Sequence, residues 1–105
     1  MNNKTFQVIE ILNKKLKQAF IDFKGCYLYG SQISGNASEE SDIDIVAVFD
    51  SVNRNKRMDI WGIIGKIEAE SDVFIDLHPM TAEELERNPV YYNQVVNNGI
   101  FYEAA

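Results

Sequence analysis

The chain has one cysteine, one histidine, and fewer basic than acidic side chains. Each scarcity excludes something. A lone Cys26 has no partner for an internal disulfide, and its place in an apolar run marks it as a buried thiol. That fits a reduced, cytoplasmic setting. Ten Lys and Arg against sixteen Asp and Glu leave a net charge of −6. Direct nucleic-acid binding is not expected, because it needs a basic surface to displace counterions. No apolar run is long enough to span a bilayer, so no membrane role is expected, and no signal-peptide pattern opens the chain. There is no internal repeat and no low-complexity segment. The 105 residues, 46% of them apolar, suffice for a single domain over 1–105 with one core.

Against that background one stretch stands out, from Gly30 to Asp44. It reads Gly30-Ser31, then ten residues, then Asp42-Ile43-Asp44. Gly30 lets the backbone turn sharply and approach a ligand closely. Amides freed around Ser31 at a turn or helix start suit an anion such as phosphate. Ser31 also reads as a helix N-cap, and the two roles are compatible. Asp42 and Asp44 open the strand-forming run Ile43 to Phe49. Side chains two apart on a strand share a face, so both carboxylates point one way. Two carboxylates beside a phosphate cradle make a site for Mg²⁺ carrying a nucleotide triphosphate. A polar loop with two solvated aspartates is the bland alternative.

The remaining pattern alternates helix and strand. Val8, Leu12, Leu16, Phe20 and Phe23, with Phe6 and Ile9, predict a helix from about Thr5 to Asp22, stopped by Gly25. Cys26–Tyr29 is a short strand delivering Gly30 and Ser31. Gln32–Ser41 is a loop with a helical turn, bent at Gly35. Asp42–Phe49 is the second strand, with Ile43, Ile45, Ala47 and Phe49 turned toward the helices. A helix from about Asn53 to Glu70 follows, with Ile60, Trp61, Ile63, Ile64 and Ile67 buried and Gly62 and Gly65 placed for close approach to the sheet. Arg54, Lys56 and Arg57 at its start oppose the helix dipole. The second strand runs about 20 Å away from the aspartates, at roughly 3.3 Å per residue. The basic cluster is therefore a solvated face or a partner contact rather than a triphosphate clamp.

The third strand, Asp72–Pro79, should return by a right-handed crossover parallel to the second. Asp76 sits in its middle among Phe74, Ile75 and Leu77. Burying a carboxylate there is costly unless it is paired or binds metal, which makes Asp76 the natural third carboxylate. An edge-strand aspartate is the alternative. His78 shares its face and reads as a supporting residue. Thr81-Ala82-Glu83-Glu84 is a capping box opening a helix to about Asn88. Pro89 restarts the helical pattern, Asn98-Gly99 ends it, and Ile100-Phe101-Tyr102 is an apolar tail.

The Gly-Ser, ten residues, Asp-x-Asp pattern resembles the signature of the DNA polymerase beta-like nucleotidyltransferases. The short length resembles their minimal bacterial and archaeal members. The resemblance implies an α/β (α+β) fold, a small mixed sheet packed against helices. It implies catalytic and metal-binding carboxylates at Asp42, Asp44 and Asp76, phosphate binding at Gly30 and Ser31, two Mg²⁺ ions as cofactor, and ATP as substrate. Many minimal members carry arginine where Gln32 or Ser34 stands here. No second domain for an acceptor follows the core, so the resemblance points to a partner as acceptor, namely a tyrosine of a HEPN-domain toxin modified by its antitoxin. Two alternatives stay open: a non-catalytic antitoxin that occludes its partner, or a transferase of small hydroxylated molecules, with a homo-oligomer building the pocket.

Overall fold

Alternating side chains on the first three strands give the sheet two apolar faces, which dictate how the helices sit. The structure is a computed structural model and describes residues 3–30 and 42–104. Helix α1 spans Asn3–Ala19, strand β1 Phe23–Tyr29, strand β2 Ile43–Phe49 and helix α2 Arg54–Ser71. Strand β3 spans Ile75–Met80, and the short helices α3 and α4 span Ala82–Glu86 and Pro89–Tyr92. A π-helical turn, Asn93–Asn97, leads into strand β4, Ile100–Glu103. The sheet order is β3-β2-β1-β4. β1 pairs antiparallel with β2 and β4, whereas β2 and β3 are parallel, as the helical crossover between them requires. The result is the expected mixed sheet with helices.

Cys26, Leu28, Ile43, Ile45, Ala47, Phe49, Ile75 and Leu77 share one sheet face and bury against α1 and α2. From α1 come Val8, Ile9, Leu12 and Leu16, and from α2 Ile60, Ile64 and Ile67. The stripe on α2 thus follows the i, i+4, i+7 spacing of a helix face. Trp61 lies off that stripe and is exposed, which corrects the expectation that it is buried. Gly62 and Gly65 are exposed too, and a Cβ at either would meet nothing, so they serve no close approach to the sheet. Phe6, also expected in the core, is exposed with its ring edge-on to Tyr102 at 6.1 Å. On the other sheet face, Tyr29, Val46 and Val48 pack against Leu85 of α3 and Val95 of the π turn.

Three boundaries differ for identifiable reasons. Gly25 does not stop α1, which ends at Ala19. It lies inside β1 at φ +147°, where the pairing register with β2 shifts. A Cβ there would collide with the Tyr102 carbonyl and the Phe101 ring, so β4 can lie against β1 only over a glycine. Asp72 is the left-handed C-cap of α2 rather than the start of β3. The expected C-terminal tail is the strand β4, an edge of the sheet. The capping box holds: the Thr81 hydroxyl accepts from the Glu84 amide, and Glu84 returns to the Thr81 amide. Among the described residues no helix is long and apolar enough to cross a membrane.

Candidate active site

The open end of the second sheet face gathers the chemistry. Strand pairing sets Tyr29 of β1 opposite Asp44 of β2, and Asp44 opposite Asp76 of β3. Cross-strand partners share a face, so the three form one row across the sheet. In the next row Tyr27, Val46 and His78 follow the same pairing. Helices α1 and α2 cover only the opposite face, and α3, α4 and the π turn cover this one beyond the carboxylate row.

Within the row, charge is concentrated and poorly balanced. Burial pushes the Asp44 carboxyl above the usual range, and the nearby charges of Asp76 and Asp42 push it further. His78 opposes the rise, while a hydrogen bond with Asp76 adds to it. Asp44 and Asp76 are cross-strand partners, so their like charges repel and favour a proton or a cation between them. His78 Nε2 lies 3.2 Å from Asp76 Oδ1, both side chains being about half exposed. Among the described residues no lysine or arginine pairs with Asp42, Asp44 or Asp76.

Gly30 belongs to the same construction. It sits at φ +78°, and a Cβ there would strike the Asp44 carboxylate. The glycine of the Gly-Ser pair thus makes room for the first strand-borne aspartate. This links two halves of the motif that are fourteen positions apart in sequence.

Sequence reasoning placed these residues unevenly. The structure brings Asp44, Asp76 and Gly30 together, with Asp42 exposed two residues upstream of Asp44. Ser31, Gln32, Ser34, Gly35 and the rest of the 31–41 loop lie outside the described residues. Asp76 was expected as a buried carboxylate. It is instead half exposed on the edge strand β3, because that strand alternates buried and exposed positions and turns Asp76 to the open side. Tyr29 and Tyr91 were missed. Their hydroxyls lie 2.8 Å apart and their rings meet edge-to-face at 5.7 Å. Burial holds both phenols above their ordinary range, and the Asp44 and Asp76 charges add to that. The signal for Tyr29 was present: it immediately precedes Gly30 on the strand that delivers the motif.

The donor set fits a hard divalent cation. Mg²⁺ is commonly held by one or two carboxylates with the remaining positions filled by substrate oxygens and water. Among the described residues no three acidic, histidine or cysteine side chains converge on one ion-sized space. Asp44 and Asp76 would supply two oxygen ligands, and the nucleotide and water would complete the shell.

The basic cluster on α2 is elsewhere. Lys56 Nζ donates to Asp22 Oδ2 and to the Ser51 carbonyl, each at 2.7 Å, at the far end of β2. It also lies 4.9 Å from the Phe49 ring centre. Lys56 is therefore neither a solvated cation nor a free partner contact, while Arg54 and Arg57 are exposed.

Known structures share this fold. One chain of a toxin–antitoxin crystal structure with AMP-PNP superposes with a TM-score of 0.64 at 25% identity, covering 95% of this chain and 72% of that one. The fold recurs in the Shewanella oneidensis complex of a tri-AMPylated HEPN toxin with an MNT antitoxin, at TM-score 0.57 and 22% identity, covering 93% and 67%. It recurs again in the toxin–antitoxin MntA–HepT, at 0.56 and 23%, covering 93% and 68%. No curated protein matches. The model of the nucleotidyltransferase domain matches residues 8–102, which include the whole carboxylate row, and the chain belongs to that family.

Proposed function

We propose that the chain transfers AMP from ATP to a hydroxyl, with a tyrosine of a HEPN-class toxin as acceptor and this chain as its antitoxin. The observation that carries the reading is the Asp44–Asp76 pair, two facing carboxyls that burial and like charge push up at Asp44, with no lysine or arginine paired to them among the described residues. The choice of nucleotide and partner is supported by the likeness to a chain of a toxin–antitoxin structure with AMP-PNP. That a neighbour of the same fold is an MNT antitoxin in complex with a tri-AMPylated HEPN toxin is consistent with a toxin as acceptor.

In this reading Asp44 and Asp76 would hold Mg²⁺, and the exposed Asp42 would reach a metal ion when the nucleotide is bound. When bound, the ion supplies positive charge to the triphosphate and acidity to the incoming hydroxyl. Gly30 keeps space for the Asp44 carboxylate, and Ser31 with the loop amides holds the β and γ phosphates. Asp76, the more open carboxyl, accepts the acceptor's proton. The acceptor oxygen bonds to the α phosphorus, the bond from that phosphorus to the bridging oxygen breaks, and pyrophosphate leaves.

The test is incubation with Mg²⁺, α-labelled ATP and the product of the neighbouring gene, read by intact mass. One or more AMP units should appear on the partner and be lost with Asp42→Asn. A stable, silencing complex without AMP transfer would leave the binding antitoxin in its place. Transfer that persists in a folded Asp44→Asn protein would remove the carboxylate row from the mechanism.

A further inference from the structure

We propose that the Tyr29–Tyr91 pair is a nucleotide-positioning element, which donates a hydrogen bond to an oxygen of the nucleotide held against Asp44 and Asp76. This rests on the nucleotidyl-transfer reading above.

Counting donors leads there. Each phenol is one O–H donor and an acceptor, and both are protonated at neutral pH. The 2.8 Å contact uses one O–H as donor, whichever tyrosine gives it. One O–H remains. Tyr29 is the cross-strand neighbour of Asp44, so the pair stands at the end of the carboxylate row. Asp44 and Asp76 act on both phenols electrostatically, which places the hydroxyls within their field. A nucleotide seated on those carboxylates brings oxygens beside acceptors, while His78 is engaged with Asp76. A neutral donor helps there, because among the described residues no arginine or lysine pairs with the row.

The pair also fixes its own position. Tyr91 lies on α4, whose entry is capped by the Asn88 side chain accepting from the Tyr91 amide at 3.1 Å. Tyr29 is buried on β1. The contact ties α4 to the sheet beside the site, so the remaining O–H is held in a defined place rather than on a free side chain.

Phenylalanine at both positions keeps the edge-to-face rings and removes only the hydroxyls. Removing both partners of a hydrogen bond together leaves no orphan, so stability should hardly change. Calorimetric titration with Mg²⁺–ATP and with Mg²⁺–tripolyphosphate, in the absence of acceptor, reads the effect. Tyr29→Phe/Tyr91→Phe should weaken Mg²⁺–ATP binding about tenfold with an unchanged Tm, as expected for losing one hydrogen bond to a charged or polar ligand group. The same loss with tripolyphosphate assigns the bond to a phosphate oxygen, and a loss with ATP alone assigns it to the sugar. Wild-type-like binding of Mg²⁺–ATP in the double variant would overturn the proposal. Failure of the wild-type chain to bind Mg²⁺–ATP would instead overturn the nucleotide reading itself.

Discussion

The two ends of β2 treat a carboxylate in opposite ways. At the Phe49 end, burial alone would push the Asp22 carboxyl up. The Lys56 ammonium and the Ser51 amide outweigh that and hold it below the usual range. Phe20 and Phe23 pack on the Phe49 ring there, at 5.5 and 5.4 Å. At the Asp44 end the carboxyl is pushed up by burial and by two neighbouring aspartates. One end is complete within the chain. The other lacks, among the described residues, a lysine or arginine to balance its carboxylates. The difference teaches that the fold is anchored at one end of the strand and leaves the other electrostatically open for a ligand.

The largest effect should come from breaking the anchored end. Phe49 is 1% exposed, so Phe49→Ala should cost about 3–5 kcal/mol in urea unfolding, the usual cost of a large core cavity. Next, Lys56→Met should cost about 1–3 kcal/mol at pH 7, because it orphans a largely buried carboxylate. The Asp22 pKa is depressed by folding, so its contribution is present above about pH 4 and is lost as pH falls through the folded value. The gap between the Lys56→Met and wild-type unfolding curves should therefore close in acid.

At the open end, Gly30→Ala should cost about 1–3 kcal/mol through its left-handed backbone. It should also lower transfer activity by displacing Asp44, whereas the Phe49-end variants that still fold should keep the activity. The smallest effect on stability should be a gain. Folding raises the Asp44 pKa, so its stabilising protonated form is present below the unfolded carboxylate pKa and lost as pH rises through the folded one. Asp44→Asn should then raise the Tm of the metal-free protein slightly at neutral pH and leave it nearly unchanged in acid.

The same contrast explains what could be read without coordinates. That Asp44 and Asp76 lie side by side on one face was legible because strand period fixes the face of a side chain, and the strand–helix–strand order fixes β2 and β3 as parallel. The helices showed in their apolar spacing and in the Thr81–Glu84 capping box. The Tyr29–Tyr91 contact was not legible, because it joins residues 62 positions apart through an irregular segment. The Ile100–Glu103 strand was hidden for a related reason: four residues carry almost no periodicity, and their pairing depends on Gly25 giving way. Lys56 was misread because its acid, Asp22, lies in the turn after α1, far away in sequence. Trp61 was misplaced because it stands one helical turn from Ile64 and so fits an apolar stripe, while the buried face falls on Ile60, Ile64 and Ile67.

The most direct test of the open end is divalent-ion binding by the wild-type chain and by Asp44→Asn. Mn²⁺ can stand in for Mg²⁺ and be followed by electron paramagnetic resonance, together with Tm. The account predicts that Mn²⁺ binds and raises the Tm of the wild type, more so with a non-hydrolysable ATP analogue present, and does neither with Asp44→Asn. Equal binding and equal stabilisation in both proteins would contradict it.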